Sequence, residues 1–86
     1  MEFVCFICRR MYWTDWSDQR IDYAFMDGSG RKTLVYSPCP AGITIDYPAR
    51  RLYWTDVKSH SIETTTLDGK DRRIIKRFAT GMELTQ

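Results

Sequence analysis

The chain has 86 residues, with 13 basic and 11 acidic side chains and a formal net charge of +2. Such a length allows one small domain, and a 43% share of hydrophobic residues excludes a disordered or collagen-like chain. So small a net charge does not indicate a nucleic acid partner. The longest apolar run covers residues 3–8, which is too short for a membrane span or a signal peptide, so we expect neither in this chain.

The clearest pattern is an internal repeat with an offset of 41 residues. Met-Tyr-Trp-Thr-Asp at 11–15 recurs as Leu-Tyr-Trp-Thr-Asp at 52–56, and the same offset places Asp-Gly at 27–28 on Asp-Gly at 68–69 without a gap. A period of about 40 residues is what four short strands and their turns require. The sequence therefore predicts two copies of one four-stranded unit.

Aromatic and β-branched residues predict the strands, and the two Asp-Gly pairs predict tight turns, because glycine accepts a positive φ. No helical periodicity is present. Four consecutive antiparallel strands at this period are typical of propeller blades. The predicted fold is all-β, with two consecutive four-stranded antiparallel blades of an incomplete β-propeller. The predicted strands are 3–7, 11–15, 21–26 and 31–36, then 42–47, 51–56, 61–67 and 72–76. The predicted units are a first blade at 1–37, whose inner strand 3–7 matches the repeat poorly, a connector at 38–41, a second blade at 42–78 and a tail at 79–86.

The Tyr-Trp-Thr-Asp motif, followed by isoleucine and by Asp-Gly-x-x-Arg, resembles the low-density-lipoprotein receptor class B repeat, or YWTD repeat, over residues 11–77. Gly-Ile-Thr-Ile-Asp-Tyr at 42–47 resembles the stretch that precedes the motif in that family. The resemblance implies blades of a six-bladed propeller, as in the lipoprotein-receptor-related proteins. Since only two repeats are present, we interpret the chain as a fragment of a larger receptor.

The expected function follows from the resemblance to class B repeats. The resemblance implies a non-catalytic protein-binding segment of a receptor ectodomain, whose top-face loops contribute to ligand binding or ligand release. The alternative is a structural matrix or assembly module without receptor signalling. Expected partners are a secreted or cell-surface protein and the remaining blades of the parent chain, at an extracellular or cell-surface location. We expect no cofactor, no metal and no enzyme activity, because nucleophile and phosphate-binding motifs are missing from the sequence.

Propeller connectivity places the loops between second and third strands, and between blades, at one end of the blades, which we call the top. The candidate ligand-binding residues there are Trp16, Ser17, Asp18, Gln19, Arg20, Ala41, Lys58, Ser59 and His60. The alternative is an ordinary solvated loop, with Trp16 packed over its own blade. Because histidine changes charge between about pH 5 and 8, His60 is also a candidate for a pH-dependent contact, against the alternative of an incidental surface histidine.

The repeated motif itself is predicted to be structural. Tyr12, Trp13, Tyr53 and Trp54 are expected to pack between blades. Asp15 and Asp56 end their strands and can accept backbone N–H groups of the following turn. Thr14 and Thr55 suit a buried strand, and the turns are assigned to Asp27, Gly28, Asp68 and Gly69.

Two further expectations concern the cysteines and the stability. Cys5-x-x-Cys8 has the spacing of half a zinc or redox site, but no second pair follows, which favours small apolar residues on a buried strand. A repeat cannot bury its own faces, and two blades leave two outer faces bare. The isolated chain is therefore predicted to be marginally stable, oligomeric or prone to aggregation.

Overall fold

A computed structural model describes residues 2–5, as backbone only, and residues 8–79. They form eight strands in two four-stranded sheets, and in each sheet every strand pairs antiparallel with the next along the chain. This arrangement confirms the predicted all-β pair of propeller blades. Blade one contains β1 (Glu2–Cys5), β2 (Arg10–Asp15), β3 (Arg20–Phe25) and β4 (Lys32–Tyr36); blade two contains β5 (Pro40–Asp46), β6 (Arg51–Asp56), β7 (Ser61–Thr66) and β8 (Arg73–Arg77).

The bounds differ from the predicted ones at the two inner strands. The first inner strand ends at Cys5, and residues 6–7 of the predicted strand lie outside the described residues. The second begins at Pro40, so Pro40 and Ala41 belong to β5 and not to the connector. Proline is tolerated there because it stands first in its strand, and a register shift follows between Pro40 and Ile43. Residues 80–86 of the predicted tail also lie outside the described residues.

Strand pairing assigns the motif aromatics to opposite faces of each blade. Tyr12 lies opposite Tyr23, and the two rings stack at 5.6 Å, whereas Trp13 lies opposite Asp22. In blade two, Tyr53 is likewise separated from Trp54 by the alternation of the strand. Each blade therefore has a face that carries the motif tyrosine and a face that carries the motif tryptophan.

The core lies between the tyrosine face of blade one and the tryptophan face of blade two. Tyr12 and Trp54 are fully buried there, and the Tyr12 hydroxyl donates to the Leu67 carbonyl at 3.3 Å. Burial raises the pKa of Tyr12, and a hydrogen bond from Arg10 opposes that rise. The side chains that form this core are Tyr12, Ile21, Leu34, Val35, Ile43, Leu52, Trp54 and Leu67.

The other two motif aromatics are not between the blades. Trp13 and Tyr53 are half-buried on the outer faces of blade one and blade two. The structure thus places Tyr12 and Trp54 between the two blades, and Trp13 and Tyr53 on the two outer faces that the repeat leaves bare, because neighbouring residues of a strand point to opposite faces. We call these outer surfaces the Trp13 face and the Tyr53 face. No helix long and apolar enough to cross a membrane occurs in the described part of the chain.

Candidate functional site

Three loops meet at one end of the two blades. They are residues 16–19 between β2 and β3, the connector 37–39, and residues 57–60 between β6 and β7. The Ser37 N–H donates to the Gln19 carbonyl at 2.9 Å, and the Val57 N–H donates to the Cys39 carbonyl at 3.1 Å. The connector is therefore tied to a loop of each blade, at the end that the connectivity predicts as the top.

An open groove of about 550 Å³ lies between these loops, and we call it the rim groove. Asp18 contributes a carboxylate from blade one and Lys58 an ammonium group from blade two, so its two sides carry opposite charges. Its lining residues are Asp18, Gln19, Tyr36, Ser37, Pro38, Lys58 and Ser59.

The rim groove brings together four of the predicted ligand-binding residues, namely Asp18, Gln19, Lys58 and Ser59. Sequence reasoning missed Tyr36, Ser37 and Pro38 as groove residues. One signal in the sequence could have indicated them. Tyr36, Ser37 and Pro38 follow one another between the last strand of blade one and the first strand of blade two, at the predicted top.

The remaining predicted residues surround the rim groove without lining it. Trp16 is 64% exposed, so the alternative that it packs over its own blade is wrong. Ser17 is also exposed in that loop. The Arg20 guanidinium is held by Asp18 at 3.4 Å and by Asp22 at 3.1 Å.

Ala41 and His60 occupy different positions from the groove residues. Ala41 is half-buried on β5, behind the connector. His60 is half-buried at the end of its loop with a φ of 53°, and its carbonyl accepts the Phe78 N–H at 2.7 Å. Within the described residues, its buried Nδ1 atom has no hydrogen-bond partner.

Asp56 lies beneath the rim groove and holds two of the segments that line it, the connector and the 57–60 loop. Its fully buried carboxylate accepts the Ser37 hydroxyl and three backbone N–H groups, at 3.0 Å from Cys39, 3.0 Å from Lys58 and 2.8 Å from Ser59. Burial alone would raise the pKa of Asp56, but these hydrogen bonds outweigh it and lower the pKa below its usual value. One carboxylate thus holds the connector and the 57–60 loop together.

Ser37 connects that carboxylate to the motif tryptophan. The Trp54 Nε1–H donates to the Ser37 oxygen at 3.1 Å, while the Ser37 hydroxyl donates to Asp56. In blade one, the equivalent Asp15 is half-buried and accepts the Asp18 N–H at 3.0 Å. The full network therefore needs the connector of the preceding blade.

The two Asp-Gly pairs lie in the turns 26–31 and 67–72, at the opposite end of the blades. Both glycines have the positive φ that such a turn requires, 89° at Gly28 and 83° at Gly69. The Asp27 carboxylate accepts the Ser29 hydroxyl at 2.7 Å and its N–H at 2.9 Å, and these bonds lower the pKa of Asp27.

Two of the three cysteines, Cys8 and Cys39, have side chains among the described residues. Cys8 lies half-buried in a turn and is disulfide-bonded, which corrects the prediction of an apolar strand residue. Cys39 is a half-buried free thiol in the connector. Among the described residues, no group of three or more histidine, cysteine or acidic side chains is placed to hold a metal ion.

Two segments of the chain match a known protein family. Residues 9–47 and 50–76 match the family described as low-density lipoprotein receptor repeat class B. The chain belongs to this family. Each matched segment contains one of the two motifs, and the gap between them falls in the turn between β5 and β6. Class B repeats are generally non-catalytic binding modules that occur in extracellular receptors and matrix proteins.

A solved structure supports the same assignment. The chain is similar to a chain in the crystal structure of a nidogen/laminin complex, with 39% sequence identity and a TM-score of 0.75. The similarity covers 81% of this chain and 28% of that one. Two class B repeats therefore span little more than a quarter of the solved chain. The comparison with curated proteins gives no match.

Proposed function

We propose that this class B repeat pair is a non-catalytic protein-binding segment of an extracellular propeller, and that the rim groove contacts a secreted or cell-surface protein. The observation that carries the proposal is the combination of a fixed floor with exposed aromatic side chains. Asp56 holds the connector and the 57–60 loop in place. Beside them, Trp16 and Tyr36 are 64% and 65% exposed. Aromatic anchors at a rigid surface are typical of interface hot spots.

The charges of the rim groove favour a polar protein surface as the partner. Asp18 and Lys58 line the groove from different blades, so a bound surface needs a basic group facing one and an acidic group facing the other. Such a pair sets orientation and association rate more than affinity. We expect the aromatic residues to supply most of the binding free energy.

The second candidate function is a structural matrix or assembly module. It is favoured by the similarity to a chain solved in a nidogen/laminin complex. Laminin is therefore the probe for both candidates. Surface plasmon resonance of laminin over the immobilised chain is expected to give saturable binding under the matrix hypothesis, and absence of binding would contradict that hypothesis.

Substitutions in the rim groove test where a bound protein sits. Trp16→Ala and Tyr36→Ala are each expected to weaken binding at least about 10-fold, and Lys58→Ala by less. Val57→Ala is the matched control, because Val57 is 41% exposed in the same loop as Lys58 and does not line the groove. Trp16 stands beside the groove, whereas Tyr36 and Lys58 line it. Unchanged binding in all three variants would place the contact elsewhere and refute the proposal.

Ligand release on acidification is the finer part of the receptor hypothesis. His60 ends the loop that carries Lys58 and Ser59, so a change in its charge acts next to the groove wall. His60→Ala is expected to flatten the change in dissociation rate between about pH 7 and about pH 5.5. An unaltered pH dependence would remove His60 from the account.

A further inference from the structure

Apart from the contacts of the connector, three polar contacts within the described residues cross the interface between the two blades. The Tyr12 hydroxyl donates to the Leu67 carbonyl at 3.3 Å, and Arg10 pairs with Asp68 at 3.6 Å. In the opposite direction, the Arg72 Nη1 donates to the Tyr36 carbonyl at 2.7 Å. Together with the apolar core, these contacts define how one blade recognises the next.

The 41-residue repeat supplies a counterpart of every one of these groups on an outer surface. Each group that blade one contributes to the three contacts has an equivalent in blade two. Each group that blade two contributes has an equivalent in blade one. Tyr53 corresponds to Tyr12, Arg51 to Arg10, Arg77 to Tyr36, Met26 to Leu67, Asp27 to Asp68, and Arg31 to Arg72.

The Trp13 face is already arranged like the buried face of blade two. Arg31 lies over the Trp13 ring at 5.3 Å and binds Asp22 at 2.9 Å. Arg72 lies over Trp54 at 5.1 Å in the same way and binds Glu63 at 2.9 Å. The difference is that Arg72 also reaches a carbonyl of the other blade.

Within the described residues, one buried polar atom on the Trp13 face has no hydrogen-bond partner. The carboxylate of Asp22 is 1% exposed, and its Oδ1 atom has no hydrogen-bond partner within the described residues. Unsatisfied buried polar atoms are rare in folded proteins and costly. This face is therefore incomplete until another polar surface covers it.

The Tyr53 face has the shape and exposure of an uncovered interface. An apolar hollow of about 320 Å³ lies beside Tyr53, between Thr44, Thr55 and Ile62. Next to it on β8, Ile75 is 55% exposed, whereas its counterpart Leu34 is 8% exposed at the inter-blade contact.

The turn that would receive Ile75 is open. At Gly69, an added Cβ would lie 2.6 Å from the Leu34 carbonyl oxygen, because the 67–72 turn covers β4. At the equivalent Gly28, nothing lies within 4 Å. The turn of blade one thus has free space where the turn of blade two is in contact with its neighbour.

We propose that the Tyr53 face of one copy of this chain binds the Trp13 face of a second copy, head to tail. Three contacts of the interface within the chain then recur between copies: Tyr53 donates to the Met26 carbonyl, Arg31 donates to the Arg77 carbonyl, and Arg51 faces Asp27. A second copy fits because the two outer faces of this chain are complementary to each other in hydrogen bonding and charge. The interface is heterologous, so pairing leaves one free face at each end.

Two counterparts differ and limit the affinity. Lys76 replaces the buried Val35, and Phe78 replaces Ser37, which accepts the Trp54 indole N–H. Association between copies is therefore weaker than packing between the two blades of one chain. The rim groove is on another surface, so the inference goes beyond the proposed function. It concerns the 86-residue chain by itself, because further blades of a larger propeller would cover both faces.

Sedimentation velocity of the 86-residue chain from about 1 to about 100 μM tests the proposal. The average mass is expected to rise with concentration. Ile75→Glu and Met26→Glu, one on each face, are each expected to weaken association at least about 10-fold. Ile74→Glu is the matched control, because Ile74 is 49% exposed on the same strand and its counterpart Thr33 is exposed in blade one. A wild-type chain that stays monomeric, or a control that dissociates equally, overturns the proposal.

Mixing the two charged variants tests the head-to-tail geometry. The Ile75→Glu chain keeps an intact Trp13 face and the Met26→Glu chain an intact Tyr53 face, so an equimolar mixture is expected to form a dimer that does not grow. A mixture that remains monomeric overturns the geometry. Tyr53→Phe covers the case in which a charged variant unfolds, because its hydroxyl has no bond within the described residues; it is expected to weaken association a few-fold, and no change counts against the proposal.

Discussion

The two blades share the motif Tyr-Trp-Thr-Asp but surround it differently. In blade two, Trp54 is 1% exposed and Asp56 accepts four hydrogen bonds. In blade one, Trp13 is half-buried and the Asp15 carboxylate accepts the Asp18 N–H. The difference arises because Ser37 and Cys39, from the connector before blade two, complete its motif. The burial and hydrogen bonds of the motif residues therefore depend on contact between blades and not on the fold of one blade alone.

The largest expected contrast is between the two tryptophans. Trp54→Ala removes a side chain from the core and is expected to lower the free energy of unfolding by about 3–5 kcal/mol. Trp13→Ala acts on a half-covered face, and a loss of about 1 kcal/mol is expected. Urea denaturation at concentrations where the chain is monomeric measures both. Equal losses would contradict the assignment of faces.

The aspartates give the next contrast. Asp56→Asn keeps the shape but removes the charge that accepts the Ser37 hydroxyl and three N–H groups, and a loss of about 2–3 kcal/mol is expected. Asp15→Asn weakens one bond to a backbone N–H, and a loss below about 1 kcal/mol is expected. Urea denaturation of the two variants compares these losses. A larger loss for Asp15→Asn than for Asp56→Asn would contradict the view that the connector makes Asp56 the more important of the two aspartates.

Acid stability sharpens the same comparison. The pKa of Asp56 in the folded chain is lowered from the ordinary value of 3.8, so its contribution to stability is present above that value. That contribution is lost as the pH falls below 3.8 through the lower pKa of the folded state. The stability of Asp56→Asn is expected to fall less between pH 5 and about pH 2 than that of the parent chain. Parallel pH profiles would show that Asp56 is not the group responsible.

The smallest contrast concerns the tyrosine hydroxyls. Tyr12→Phe removes the bond to the Leu67 carbonyl, and a loss of about 1 kcal/mol is expected. Tyr53→Phe removes a hydroxyl on the uncovered face and is expected to leave the stability of the monomer unchanged. Thermal unfolding of the two variants, measured side by side, gives the difference in stability. A larger loss for Tyr53→Phe than for Tyr12→Phe would mean that the inner and outer faces are assigned the wrong way round.

The architecture followed from the sequence because the repeat and its turns are local signals. Tyr12 and Trp13 were assigned to the core by their type, and their opposite faces follow from the alternation of a strand. Which of the two faces meets the neighbouring blade depends on how the sheets stack, and no local pattern contains that information. Connectivity predicts four residues of the rim groove, Asp18, Gln19, Lys58 and Ser59, but not Tyr36, Ser37 and Pro38.

The part that the sequence did not reveal lies in long-range contacts. Ser37 is predicted as the last residue of the first blade, yet it joins Trp54 and Asp56 across 17 and 19 residues. Pro40 is predicted to lie in the connector and instead begins a strand opposite Asp56. Both assignments require the packing of one blade on the other, which sequence spacing alone does not specify.

The central claim is that the core of this chain lies between the tyrosine face of blade one and the tryptophan face of blade two. Nuclear Overhauser spectroscopy of the monomeric chain tests it most directly. We expect contacts from the Tyr12 ring to Leu67 and from the Trp54 indole N–H to Ser37, with none from Trp13 to blade two. Contacts from Trp13 to blade two, with Tyr12 free of it, would contradict the account.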